Sequence, residues 1–297
     1  PFEYRQAIRD GITAWNNAYR KAGFETAIEV RQQPEKTDWD PEDINYNTFR
    51  WITSGRGFAM GPSRVNPRTG QILDADIIFD ADFVKHWRNE FENYMPEGAA
   101  WLTNSQENTN RTSLGWAESS SCRCGECNLF AGHSFQNALG ATALAATQDS
   151  LISDEEQKKL IQQGLRLVAM HEVGHTLGLR HNFKGSSVAS INQINSKDNA
   201  GRRSATTSVM DYVPVNIVPE GNFQGPYYPT QLGLYDYWAI DYGYRPIGGT
   251  TPKAELPTLL KIASRSGEAQ LAFATDEDTR AGDPDPLSNR YDLGNDP

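Results

Sequence analysis

Three of the five histidines in this 297-residue chain lie close together, at positions 171, 175 and 181. On an α-helix, positions i and i+4 lie one above the other, so His171 and His175 can present two imidazole nitrogens to one ion. Gly178 is suited to end that helix, because glycine adopts a left-handed cap without steric cost. The turned chain can then bring His181 back as a third nitrogen ligand. Three protein ligands and one open position are typical of catalytic zinc sites, since structural sites use four protein ligands.

Glu172 follows the first of these histidines and lies roughly 100° around the helix from it. It can therefore flank a metal ion without binding it. Its carboxylate can take a proton from zinc-bound water, whose pKa the metal lowers to about 7. The alternative is a core helix that happens to carry histidines. The complete spacing, with its embedded glutamate and glycine, favours the catalytic site.

This segment resembles the elongated zinc signature of the metzincin metallopeptidases, which also has a methionine turn further along the chain. A matching Ser-Val-Met-Asp-Tyr sequence occurs at 208–212. The resemblance implies that Met210 forms an apolar floor beneath the imidazoles. It also implies that the hydroxyl of Tyr212 can ligate zinc in the resting enzyme and then stabilise the oxyanion. A tyrosine that is merely packed near the floor remains the alternative, because a buried phenol needs only one partner.

Other patterns predict the elements around this segment. Apolar positions from Tyr4 to Ala22 recur at steps of three and four, which predicts an amphipathic helix closed by Gly23. Ser153 and Glu156 predict a capping box at the start of the metal helix. A further helix is predicted at 234–242. Alternating side chains predict strands at 27–31 and 48–53, and the sequences at 57–61 and 72–79 suggest two more.

The pattern as a whole resembles a metzincin-like catalytic domain of large secreted bacterial proteins whose specificity is unassigned. Four sequences carry the likeness: AWNNAYRKAGF in the opening helix, GQILDADIIFD in a strand, RHNF after the signature, and YDYWAIDYGYRP at 235–246. The resemblance implies an α+β, metzincin-like (zincin) fold. It would contain a twisted mixed β-sheet with two long helices above the cleft, and an irregular lower subdomain with the methionine turn.

The same resemblance suggests a division of the chain. We expect an upper catalytic subdomain at 1–180, which includes an insertion at 83–152 and the zinc helix at 153–180. The lower subdomain would occupy 181–248, and 249–297 would be a C-terminal extension, itself truncated. Residues 83–152 and those after 248 match the general metzincin plan poorly.

The function that this resemblance implies is a zinc-dependent endopeptidase, which hydrolyses peptide bonds with metal-activated water. The protein or peptide substrate would lie extended along an edge strand near 58–62 and pair with its main chain. Two alternatives remain open. One is a zinc hydrolase of a non-peptide amide or ester, and the other is a non-catalytic binding module that retains a zinc site.

Charge and hydropathy narrow the possible partners. The formal net charge is −10, from 28 basic and 38 acidic residues. Nucleic acid is therefore not expected as a partner, because phosphate binding needs a basic face. No apolar run approaches the roughly 18 residues of a membrane-spanning helix. The resemblance implies an extracellular, periplasmic or cell-surface location in a bacterium, and further domains of a longer parent protein.

All three cysteines, Cys122, Cys124 and Cys127, lie in one short stretch, and His133 follows six residues later. Three thiolates and an imidazole could form a closed structural zinc site. Only one spacing is the usual CxxC, however, and the ligands come from one loop. A local disulfide with one spare thiol and three free thiols remain as alternatives.

The C-terminal part is acidic from Asp276 onward and rich in turn-forming residues. Carboxylates at short spacing can bind calcium, but no EF-hand or nonapeptide pattern is present. Calcium therefore stays a possible second cofactor, and a solvated loop is the preferred prediction.

Overall fold

The computed structural model describes residues 2–54, 59–81, 84–85, 136, 139–140, 143, 153–199, 204–218, 221–279 and 285–295. Its strands are β1 (Thr48–Ile52), β2 (Ala59–Met60), β3 (Ser63–Val65) and β4 (Ile72–Asp80). Its α-helices include α1 (Arg5–Ala14), α2 (Asn16–Ala22), α3 (Asp154–Thr176), α4 (Ile191–Ile194), α5 (Leu234–Tyr244) and α6 (Pro252–Ala263). Short 3₁₀ helices occupy Phe2–Tyr4, Lys197–Asn199, Ser264–Gly267, Ala269–Leu271 and Asp276–Thr279.

Strand β4 is the centre of a mixed sheet. β1 pairs with it in parallel, and Thr48 lies opposite Asp76. β2 and β3 pair with it in antiparallel orientation. Ile77 and Phe79 of β4 are buried among apolar side chains of the helices. A mixed sheet combined with separate helices confirms the α+β class.

Helices α1 and α2 pack against α3, which carries His171 and His175, and against α5. α1 packs on α3, and α2 packs on α5. Gly11 allows the first contact, because an added Cβ would lie 2.6 Å from the Ala169 Cβ. Trp15, fully buried between α1 and α2, donates from its indole nitrogen to the Met170 carbonyl at 3.0 Å. The predicted opening helix is therefore present, with a break at Trp15, and it ends at Gly23 with a φ of 110°.

The strand predicted at 27–31 is wrong, since the segment forms no strand. The side chain of Asn16 instead accepts from the backbone N–H groups of Ala27 and Ile28 and donates to the Ile28 carbonyl. Arg9 donates to the carbonyl of Val30 at 2.8 Å. Side chains of the helices, rather than a neighbouring strand, therefore bond to the backbone of this segment.

Helix α3 begins and ends close to where the sequence predicts. The Ser153 hydroxyl accepts from the backbone N–H of Glu156 at 3.2 Å. After Thr176 the chain turns at Gly178, which has a φ of 89°. The helix predicted at 234–242 is present as α5. None of the helices that the structure describes is both long and apolar enough to span a membrane.

The main apolar core lies between α1, α2, α3, α5 and the segment 208–212. Its fully buried side chains include Trp15, Met170, Val209, Met210 and Ile240. The core therefore joins the metal helix to the predicted methionine turn.

Candidate metal centre

Helix α3 and the turn after it bring the three histidines together. Each ring contributes one nitrogen to a group in which all the candidate ligand atoms lie within 4.8 Å of one another. The Nε2 atoms of His175 and His181 are 3.2 Å apart. Among the described residues, this is the one group of three or more histidine, cysteine or carboxylate side chains close enough together to hold a metal ion.

The other nitrogen of each ring lies at hydrogen-bond distance from an acceptor. The distances are 2.8 Å from His171 Nδ1 to the Val209 carbonyl, 3.0 Å from His175 Nδ1 to the Leu179 carbonyl, and 2.9 Å from His181 Nδ1 to the Asp276 carboxylate. An acceptor at this position makes Nδ1 the protonated nitrogen and assigns the lone pair to Nε2. Three Nε2 atoms oriented in this way fit a zinc ion, which favours neutral imidazole ligands.

Burial keeps His175 in the neutral form that a metal requires. Its pKa is lowered to about 4, because burial penalises the charged imidazolium and because His181 is close. The Leu179 carbonyl and Asp276 oppose this shift only in part. At neutral pH the His175 ring is therefore uncharged and can act as a ligand.

Helix α5 holds the segment 208–212 in place through hydrogen bonds to Asp236. The Asp236 carboxylate, which is fully buried, accepts from the Ser208 hydroxyl at 2.7 Å and from the Val209 N–H at 3.0 Å. Met210 is fully buried too, and an added Cβ at Gly174 would lie 2.3 Å from its sulfur. The methionine thus packs against α3 between its two histidines, and the Val209 carbonyl is held where His171 binds it.

Glu172 is 3 % exposed and lies beside the outer strand β2. The residue after β2, Gly61, has no room for a side chain. An added Cβ would lie 2.4 Å from the Glu172 carbonyl oxygen and 3.2 Å from its carboxylate Oε2. The strand and the carboxylate are therefore immediate neighbours.

The Tyr212 hydroxyl lies 3.0 Å from His181 Nε2, which is the nitrogen expected to bind the metal. The ring is 1 % exposed and makes an edge-on contact with Phe183 at 5.3 Å between centroids. Burial, followed by the proximity of Tyr291 and Glu172, raises the pKa of Tyr212 above its usual value. The phenol therefore stays protonated at neutral pH and can donate a hydrogen bond.

Asp276 contacts the site but was not predicted from the sequence. The prediction that the acidic region is a solvated loop is wrong for this residue, because its side chain is 19 % exposed and accepts from His181. Burial raises its pKa, but the hydrogen bond from His181 and the charges of Arg290 and Arg180 lower it on balance. No local pattern predicts the contact, since 95 residues separate the carboxylate from the histidine.

The predicted second metal site falls on Cys122, Cys124, Cys127 and His133, all of which lie outside the described residues.

Two protein families match the chain. The Met-zincin family matches residues 153–297, and the Matrixin family matches residues 57–202. Both matches contain α3 and the three histidines. They also cover 83–152 and the residues after 248, which we expected to match the family plan poorly. No curated protein and no solved structure matches the chain.

Proposed function

We propose that this chain, which contains a metzincin-clan zinc metallopeptidase domain, is a zinc-dependent endopeptidase with His171, His175 and His181 as the zinc ligands. The observation that carries the proposal is the convergence of the three rings, each with an acceptor at Nδ1. Such acceptors orient metal-binding imidazoles and raise their basicity.

Zinc, when bound, supplies a Lewis acid that polarises the scissile carbonyl and lowers the pKa of water. Glu172 is the general base in this proposal. It takes the proton of the attacking water and passes it to the leaving amine. Its burial beside the histidines supports this role, because charge interactions are stronger where bulk water is excluded.

Tyr212 is proposed to donate a hydrogen bond from its hydroxyl to the oxyanion that develops on the scissile carbonyl. The position of the hydroxyl at His181 Nε2 and the raised pKa of the phenol support this role. Met210 is proposed as the apolar floor of the site, which is supported by its full burial against Gly174.

The substrate is proposed to be a protein or peptide, bound in an extended conformation along β2. This strand is the outer partner of β4 in the order β1-β4-β2, and Gly61 brings it against Glu172. Main-chain pairing to β2 would therefore place a peptide bond close to the general base. An extracellular, periplasmic or cell-surface location is proposed on the resemblance to secreted relatives.

The direct test is Glu172→Gln, with Glu155→Gln on the exposed face of the same helix as the control. Loss of a general base lowers the rate by about 10²–10⁴-fold. We expect that loss in casein hydrolysis for Glu172→Gln, an unchanged rate for Glu155→Gln, and one zinc per chain in both. Chelation or a hydroxamate should abolish cleavage by the wild type.

Two results would contradict the proposal. Turnover by zinc-loaded Glu172→Gln at the wild-type rate would remove the glutamate from the mechanism. A folded, zinc-loaded wild type that cleaves no protein would instead favour a binding module, or a hydrolase of another amide or ester.

A further inference from the structure

Residues 290–295, here called the strap, bind two segments of the metal centre through their backbone. The Tyr291 N–H donates to the Tyr212 carbonyl at 2.6 Å, and the Gly294 N–H donates to the Ser186 carbonyl at 3.2 Å. Tyr291 has a φ of 62°, a left-handed conformation that is unfavourable for a non-glycine residue. The strap is thus held in a strained conformation next to Tyr212.

Arg290 is a strap residue whose side chain contacts Asp276. Its guanidinium donates to Asp276 Oδ1 at 3.1 Å, and the other oxygen of that carboxylate accepts from His181 Nδ1 at 2.9 Å. The arginine therefore contacts the group that orients the third zinc ligand.

The same guanidinium covers two aromatic rings. It lies 4.7 Å from the centroid of Phe183 and 5.8 Å from that of Tyr212. Phe183 in turn contacts the His181 ring at 5.3 Å. A planar cation can bind a carboxylate and stack on aromatic faces at the same time, which a lysine ammonium cannot do equally well.

We propose that Arg290 is a positioning residue of the metal centre, which holds the His181 ring through Asp276 and the Tyr212 ring through direct contact. The role at Tyr212 rests on the proposed peptidase function. The role at His181 concerns zinc binding and does not depend on peptide hydrolysis. It makes the C-terminal strap a part of the site.

The test compares Arg290→Gln, Arg290→Lys and the control Arg180→Gln in the full chain. Arg180 is a matched control because it also approaches Asp276, at 3.8 Å, but is half-exposed and pairs mainly with Glu277. Zinc affinity is measured on the metal-free proteins by competition with a chelator, and kcat and KM are measured separately on a peptide substrate.

Removal of a group that orients a zinc ligand lowers metal affinity by about 10–100-fold. We expect this loss for Arg290→Gln and a change of less than about threefold for Arg180→Gln. Arg290→Lys should recover most of the zinc affinity through its charge, but its kcat should stay low, because the ammonium does not replace the stacked guanidinium.

The zinc measurement needs no substrate, so it tests the inference even if the chain cleaves no peptide. Wild-type zinc affinity in Arg290→Gln, or an equal loss in Arg180→Gln, would overturn the proposal. If Arg290→Gln does not fold, Arg290→Lys decides instead, and wild-type values of both zinc affinity and kcat would overturn it.

Discussion

Among single residues, Tyr212 has a proposed role that follows from the position of its hydroxyl group. It is almost fully buried, and its hydroxyl lies at the nitrogen that we propose as a zinc ligand. A phenol that only filled space would not need a hydroxyl at this point. We therefore interpret the hydroxyl as a donor to the oxyanion, which acts in the transition state more than in the substrate complex.

Tyr212→Phe tests that interpretation. Loss of one oxyanion donor typically costs about 10²–10³-fold in kcat. We expect a fall in kcat within that range, with KM and zinc content close to wild type. Tyr242→Phe, at an exposed tyrosine of α5, is the control and should leave kcat unchanged. A Tyr212→Phe enzyme with the wild-type kcat would show that the tyrosine is structural.

The residues of the site differ in how far the sequence can predict them. His171, Glu172 and His175 are set by helical spacing, and His181 by a turn only a few residues long, so a local pattern is sufficient. Asp276 and Arg290 approach the same site from far along the chain. Acidic and basic residues occur throughout the sequence, and no spacing marks these two as site residues.

Among the elements, α5 contacts the segment 208–212 through the buried carboxyl group of Asp236. Burial raises the pKa of Asp236 to about 7 from the usual 3.8, although Ser208, Val209 and Gly233 all donate to its carboxylate. Between these two pH values the folded protein binds a proton that the unfolded chain releases. The contribution of this proton to the free energy of unfolding is complete below about pH 4 and is lost as the pH rises through about 7.

Asp236→Asn should remove that pH dependence. A shift of this size corresponds to about 4 kcal/mol across the range. We expect the free energy of unfolding of the wild type, relative to Asp236→Asn, to fall as the pH rises from 4 to 8. Urea titrations of the metal-free proteins measure it, with Asp198→Asn at an exposed site as the control. Parallel curves for wild type and Asp236→Asn would show that Asp236 does not bind this proton in the folded protein.

The elements were predictable to different degrees. The metal helix follows from periodicity, an N-cap and a terminal glycine, which are local signals. The segment 27–31 alternates like a strand, yet it docks on the side chains of Asn16 and Arg9. Alternation shows that a segment is extended, but it does not show whether the partner of its backbone is a strand or a side chain.

At the scale of the whole molecule, the metal centre joins segments from most of the described chain. α1 packs on α3, α2 packs on α5, and α5 fixes the segment 208–212. Asp276 and the strap contact the site from the C-terminal part. The predicted C-terminal extension at 249–297 thus contributes side chains to the centre. The sequence does not indicate this, because the extension carries no recognisable zinc motif.

In the proposed function, three imidazoles hold one zinc ion and leave a position for water. X-ray absorption at the zinc edge of the purified protein tests this directly, because Zn–N distances near 2.0–2.1 Å differ from Zn–S distances near 2.3 Å. We expect one zinc per chain, coordinated by nitrogen and oxygen atoms only, including three imidazoles. A chain that binds no zinc, or a sulfur ligand in the first shell of its single zinc, would contradict it.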